Sequence, residues 1–115
     1  MTITLNSDAL DNARRLVKAG TVVADERDAW SEDAPSAADE NDFIEKNGYA
    51  EYAKWHLGID RSKSEETKGR YSFPFGDFAK VHRCAVISLE SRAAQNDHDS
   101  IAKASKELLA LIDES

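Results

Sequence analysis

The stretch at residues 70–78 constrains the fold most, because it concentrates rigid and bulky residues between two helix-forming halves of the chain. It contains four of the nine aromatic residues and one of the two prolines. The residue before a proline is driven towards extended backbone, and residues 73–76 place proline second and glycine fourth, as a type I turn does. Asp77 is then positioned to cap a following helix. We therefore expect an irregular aromatic crossover near residues 70–77.

Two interpretations of this crossover remain open. Tyr71, Phe73 and Phe75 alternate along the chain, so extended backbone places their rings on one side, where they would fill the join between two helical halves. Alternatively, the rings form an exposed patch. Residues 61–92 carry seven basic and four acidic residues, and aromatic side chains interleaved with bases can bind single-stranded nucleic acid.

The rest of the chain has the apolar spacing of helices. In the last segment, for example, Ile101, Ala104, Leu108 and Ile112 recur with the helical period. We predict helices at residues 8–19, 36–46, 49–57, 77–95 and 100–113 and leave residues 2–5 and 21–24, which are too short, unassigned. The predicted fold class is all-α. It is a single-domain bundle of four to five helices over residues 1–115, with an acidic loop at 25–35 and the crossover near 70–77.

The excess charge lies in one segment. The net charge is −7, and residues 25–46 carry nine acidic against two basic residues, whereas the rest is nearly balanced. Such a segment is either a solvated face or a docking surface for a basic partner. The candidate interaction surface combines it with the start of the crossover and comprises Asp25, Glu26, Asp28, Trp30, Glu32, Asp33, Asp39, Glu40, Arg70 and Tyr71.

No motif for catalysis, cofactor binding or metal binding is present in the sequence. His56 shares its predicted helix face with apolar residues and is interpreted as a hydrogen-bonded core histidine. Cys84 is interpreted as a buried, inert thiol. Residues 97–99, Asp-His-Asp, fit a helix-capping turn better than a metal site. We therefore assign no catalytic, cofactor or metal residue and expect a protein that is not an enzyme.

Compartment is predicted from cysteine usage and hydropathy. The single cysteine cannot form an internal disulfide, which fits a reducing cytoplasm. There is no apolar run of the ~18 residues that a membrane span needs, and the first residues lack the pattern of a signal peptide. We expect a cytoplasmic protein without a membrane partner, and the oligomeric state stays unassigned.

Five segments from about Tyr49 onward carry a resemblance to a known family. They are Tyr52-Ala-Lys-Trp-His-Leu-Gly58, Glu66-Thr-Lys-Gly69, Arg70-Tyr-Ser-Phe-Pro-Phe-Gly-Asp77, Val81-His-Arg83 and Arg92-Ala-Ala-Gln95. The chain resembles a small helical family of bacterial and phage genomes, and similar segments are attached to some phage prohead proteases. The resemblance implies a compact module and brings no assigned chemistry, because no nucleophile–base pattern can be carried over.

Three functions follow as hypotheses. The leading one is a non-enzymatic cytoplasmic protein-interaction module that uses residues 25–46 or the crossover. The second is a nucleic-acid accessory protein that uses residues 61–92, although nucleic acid is a less favoured partner than protein. The third is a small-ligand binder with a pocket near Tyr52 and His56.

Overall fold

The computed structural model of the protein describes residues 3–24, 30 and 34–114. Within these residues the chain forms five α-helices and five short β-strands. The helices are α1 (Ser7–Lys18), α2 (Ala37–Asn47), α3 (Tyr49–Ala53), α4 (Arg83–Gln95) and α5 (Asp99–Glu114). The strands are β1 (Ile3–Leu5), β2 (Val22–Val23), β3 (His56–Asp60), β4 (Tyr71–Pro74) and β5 (Val81–His82). A 3₁₀ turn at Lys68–Arg70 precedes β4.

The prediction of an all-α helical bundle is therefore wrong, and the fold is mixed α/β. Strands β1, β3 and β4 form an antiparallel sheet in that order, with β3 in the centre. Strands β2 and β5 pair in parallel as a second, two-stranded sheet. Both segments that were too short to assign from sequence, at residues 2–5 and 21–24, contain strands.

The central strand β3 replaces the second half of the helix predicted at residues 49–57, since α3 ends at Ala53. All five β3 residues are buried. A strand buried on both faces lacks the polar–apolar alternation that marks a strand in sequence, so its apolar residues fitted a helical spacing as well. Position 58 of β3 requires glycine, because a Cβ there would lie 2.5 Å from Ser72 Oγ and 2.7 Å from a Phe73 ring carbon.

The turn predicted at residues 73–76 is also wrong, because Tyr71–Pro74 is strand β4 and pairs with β3. Phe73 has a positive φ of 59° within it. Asp77 does not begin a helix either. Its Oδ1 accepts hydrogen bonds from the backbone amides of Ala79 and Lys80, and the next helix starts only at Arg83.

Helices with strong local signals are confirmed. Helix α1 matches its prediction to within a residue at each end. Helix α2 begins with the predicted capping box, in which Ser36 Oγ accepts from the Asp39 amide at 3.1 Å and an Asp39 carboxylate oxygen accepts from the Ser36 amide at 3.2 Å. It ends at Gly48, whose φ of 85° favours glycine. Helices α4 and α5 pack against each other.

The hydrophobic core lies between the larger sheet and helices α1, α4 and α5, and it includes Phe73 and Phe75 from the crossover. The Phe75 side chain is fully buried, with its ring centre 5.5 Å from that of Trp55. Cys84 is buried as well. Two rings of the crossover therefore seal the interior, whereas Tyr71 stays partly exposed. No helix in the described part of the chain is long and apolar enough to cross a membrane.

Candidate functional site

An open cleft of about 640 Å³ lies where the start of α1, helix α3 and the segment from β3 to β4 meet. Its lining contains aromatic and aliphatic side chains, three acidic residues, three basic residues and one asparagine. The lining residues are Asn6, Asp8, Gly48, Tyr49, Ala50, Ala53, Lys54, Ile59, Arg61, Glu65, Glu66, Arg70 and Tyr71. We refer to it as the Arg70 cleft.

Asn6 fixes one wall of the cleft. Its backbone amide donates to the carbonyl of Leu57 at 2.7 Å, and its side-chain amide donates to the carbonyls of Ala53 at 3.0 Å and His56 at 3.2 Å. These bonds tie the junction of β1 and α1 to the turn between α3 and β3. Because the side chain is used there, Asn6 occupies the N-cap position of α1 without capping the helix.

Arg70 contributes a buried guanidinium to the cleft lining. The residue is only 9% exposed. Its Nη1 donates to the carbonyls of Lys63 at 2.6 Å and Arg61 at 3.5 Å, and its Nε is buried without a hydrogen-bond partner. No carboxylate of the described residues lies within ion-pair distance of it. Among the described residues, this buried positive charge in the cleft lining has two backbone carbonyls as hydrogen-bond partners, and its Cζ lies 6.0 Å from the centre of the Tyr71 ring.

The charges around the cleft balance. Lys54, Arg61 and Arg70 oppose three acids, namely Asp8, Glu65 and Glu66. Lys54 is engaged by Glu51, whose carboxylate lies 3.2 Å from its ammonium nitrogen. The lining as a whole therefore carries no net formal charge.

Tyrosines form the apolar part of the wall. The Tyr71 hydroxyl donates to the carbonyl of Glu65 at 3.0 Å, and the Tyr71 ring lies edge-on to that of Tyr52, with centres 5.8 Å apart. Burial, partly opposed by the nearby Arg70, raises the pKa of Tyr71. Tyr49 also packs edge-on against Tyr52, at 6.3 Å. The buried Tyr52 ring thus packs against both tyrosines that line the cleft, Tyr49 and Tyr71.

Tyr52 and His56 stand behind this wall rather than in the cleft, since each is only 3% exposed. The Nδ1–H of His56 donates to the carbonyl of Tyr52 at 2.8 Å. Burial lowers the pKa of His56 to about 4, which keeps the ring neutral at physiological pH. This agrees with the interpretation as a core histidine. The same burial separates the His56 imidazole from any ligand in the cleft.

The Tyr52 hydroxyl connects this wall to α2. It donates to Glu40 Oε2 at 2.9 Å, and burial together with this hydrogen bond raises the pKa of Tyr52 above its ordinary value. The other oxygen of Glu40 pairs with the Lys68 ammonium at 3.2 Å. Glu40 therefore fastens α2 to α3 and to the 3₁₀ turn before β4.

Of the predicted interaction-surface residues that the structure describes, Arg70 and Tyr71 lie together and both line the cleft. Asp39 belongs to the capping box of α2, and Glu40 makes the internal contacts just described. The remaining acidic residues lie outside the described residues, so the prediction for them stays a prediction. They are Asp25, Glu26, Asp28, Glu32 and Asp33.

Trp30, the other predicted surface residue, packs elsewhere. It is partly buried, and its ring centre lies 5.4 Å from that of His82. His82 Nε2 in turn lies 2.8 Å from Asp77 Oδ2. Burial alone would raise the pKa of Asp77, but hydrogen bonds from His82 and from two backbone amides lower it below its usual value. Trp30 therefore contributes to packing in a different part of the molecule from the cleft.

Sequence reasoning missed the residues that converge on the cleft from distant positions. Asn6, Tyr49 and Ile59 reach it only because β1 pairs with β3 and α3 stops where it does. Local pattern contains no signal for that convergence. Arg61 and Glu65 were visible as charged residues of a polar segment, yet nothing in their spacing indicated a shared cleft.

Comparison with known proteins adds no relative to this picture. The sequence matches no protein-family model and no curated protein, and the fold matches no solved structure. The resemblance to a small phage-related helical family therefore stays a prediction.

Proposed function

We propose that the chain is a non-enzymatic, cytoplasmic protein-interaction module that takes a peptide segment of a partner in the Arg70 cleft. The observation that carries this proposal is the make-up of the cleft. Its volume of about 640 Å³ falls within the ~300–1,000 Å³ of typical ligand sites, and it is open to solvent. Tyrosine rings and Ile59 offer apolar contact, while balanced charges suit a ligand with both donors and acceptors.

The chemistry of the surroundings supports binding rather than catalysis. The histidine nearest the cleft wall, His56, is sealed in the interior, and its Nδ1–H is used by a backbone carbonyl. Histidine is the side chain that most often serves as a general acid or base, so the burial of His56 favours binding over catalysis as the function of the cleft. The buried Cys84 also favours binding over catalysis, because a thiol buried among apolar groups is a poor nucleophile.

The two alternative functions have less support. Of the basic residues in the 61–92 region, Lys68 pairs with Glu40, Arg83 pairs with Asp113 and Arg70 is buried. Three of the seven basic residues are thus paired or buried, which does not favour a nucleic-acid track, because such a track needs accessible bases along a groove. A small-ligand pocket centred on Tyr52 and His56 is not favoured either, because both side chains are buried.

The test is an NMR titration of the isotope-labelled protein with a pooled library of N-acetylated pentapeptides at millimolar concentration. We expect the backbone amide signals of the α3 and 61–66 segments to shift, while those of the α4–α5 pair stay in place. Ala50→Trp should block the effect, since Ala50 is exposed and lines the cleft. Ala94→Trp, an exposed helical alanine of α4, is the matched control. Unchanged spectra for the unmodified protein, or shifts that persist in Ala50→Trp, would contradict the proposal.

A further inference from the structure

We infer that Arg70 receives a carboxylate group of the bound peptide, at a subsite formed with the first turn of α1. This inference rests on the proposed function and specifies the chemistry that the cleft recognises. A carboxylate can come from the α-carboxylate at the end of a peptide or from an aspartate or glutamate side chain, and the two sources are separated in the test below.

The first observation is the unmet demand of Arg70. A guanidinium carries five N–H donors, and those of this nine-tenths buried residue are met in the described chain by two backbone carbonyls, both through Nη1. Its Nε is buried and has no hydrogen-bond partner among the described residues, and the Tyr71 ring centre lies 6.0 Å from its Cζ. Arg61 and Lys63, whose carbonyls it holds, bring more positive charge to the same segment. Removing a cation from water without an opposite charge is unfavourable, and a planar carboxylate is the group that matches a guanidinium edge.

The second observation is independent of the first and concerns α1. This 12-residue helix starts beside the same cleft, with Asn6 and Asp8 among the lining residues. Its first-turn amides have no side-chain cap, because the Asn6 side chain is bonded to the α3–β3 turn instead. Uncapped amides and the positive end of the helix dipole favour an anionic group. Asp8 in the first turn is exposed and offsets part of that field.

The acids of the cleft decide which anion fits. Asp8, Glu65 and Glu66 line the same cleft as Arg70. A polyanion such as a nucleic-acid backbone would bring several phosphates near these carboxylates and be repelled. A peptide brings one carboxylate to Arg70 and can turn its amide N–H groups towards the acids. The cleft is therefore selective for a peptide carboxylate over a chain of phosphates.

The experiment varies the ligand first, so that it does not depend on a variant folding. The pentapeptide pool is made in two matched forms that differ only in ending with a free α-carboxylate or a carboxamide, and neither form contains aspartate or glutamate. We expect the carboxylate pool to shift the cleft signals at concentrations about 10- to 100-fold lower than the carboxamide pool, the range expected for one charge-assisted interaction. The side-chain signal of Arg70 Nε–H should move with the carboxylate pool.

A third pool ends in carboxamide and contains aspartate and glutamate. If it binds more tightly than the free-carboxylate pool, the carboxylate source is a side chain, and if it binds equally tightly, either source serves. The inference stands in both cases. Equal binding of the first two pools with a silent Arg70 Nε–H overturns the carboxylate inference but leaves the proposed function intact. Failure of all pools overturns both. A ten-residue oligothymidylate that binds more tightly than every pool overturns the choice of peptide over nucleic acid.

Variants of the protein give the second arm. Arg70→Gln should abolish the preference for the carboxylate pool, and Arg70→Lys should retain only part of it, because lysine keeps the charge and loses the planar fork. Arg92→Gln is the matched control, since Arg92 is an exposed arginine of α4 that does not line the cleft. A preference that survives Arg70→Gln in a protein with unchanged circular dichroism would contradict the inference.

Discussion

The buried His56 makes the stability of this protein depend on pH in a defined window. Its pKa is about 4 in the folded chain, against 6.5 for a histidine in an unfolded chain. Between these values the unfolded state binds a proton that the folded state does not. The contribution of His56 to the free energy of unfolding is therefore fully present above about pH 6.5. It falls as the pH decreases towards about 4, and His56 causes no further loss below that pH.

The magnitude follows from the two pKa values. The difference between 6.5 and about 4, at roughly 1.4 kcal/mol for each pH unit, corresponds to a loss of about 3 kcal/mol. Because the side chain is only 3% exposed, solvent screening reduces this figure little. For a domain whose free energy of unfolding is about 5–15 kcal/mol, this is a large fraction.

Urea unfolding followed by circular dichroism, repeated between pH 7 and pH 4.5, measures the loss. His56→Gln removes the titrating ring and leaves an amide that can donate to the Tyr52 carbonyl, so the variant should lose much less stability over the same window. His98→Gln is the matched control, because His98 is only partly buried, against the Phe73 ring. An equal pH dependence in the wild-type protein and His56→Gln would refute the reasoning.

Three further predictions concern the fold and are measured as changes in the free energy of unfolding in urea. Gly58→Ala should destabilise by about 1–3 kcal/mol, because its Cβ would meet two β4 side chains at 2.5 and 2.7 Å. Gly69→Ala, whose nearest contact would be 3.7 Å away, should change stability little, and equal effects would argue against the clash. Asn6→Ala should cost about 1–3 kcal/mol by leaving the carbonyls of Ala53 and His56 without this partner. Asn12→Ala, which removes two exposed hydrogen bonds, should cost under about 0.5 kcal/mol, and the reverse order would be inconsistent with the structure. Ser36→Ala should cost about 1 kcal/mol by removing the α2 capping box, and an unchanged midpoint would contradict that.

The helices could be predicted because their signals are local. The capping box at Ser36 and the apolar period of α5 each involve residues a few positions apart, and both are present in the structure. The strands could not, because they are two to five residues long and pair across the chain. A two-residue strand such as β2 has no periodicity to detect. Its β-branched residues become a strand only when β5 is beside them.

The candidate site was predictable only in part. Arg70 and Tyr71 were selected because they begin an aromatic stretch, and both line the cleft. Arg70 is informative because it is buried and no described carboxylate pairs with it. That property depends on where the 61–66 segment folds back. The acidic residues of the predicted interaction surface were indicated by their charge alone. Glu40 shows why charge is a weak guide, since its carboxylate is used inside the fold.

The pairing of β1 with β3 has a kinetic consequence. Thr4 meets Ile59 across 55 positions, whereas Gly58 meets Ser72 across only 14 within the β3–β4 hairpin. Closing the longer loop costs about 1 kcal/mol more conformational entropy, so β1 should join the sheet after the hairpin has formed. The strand that joins last is also the first to open, and hydrogen exchange should be fastest along β1. Because Asn6 follows β1 directly, each such opening also loosens one wall of the Arg70 cleft. A bound ligand would therefore slow hydrogen exchange in β1, although β1 is far from Arg70 in the sequence.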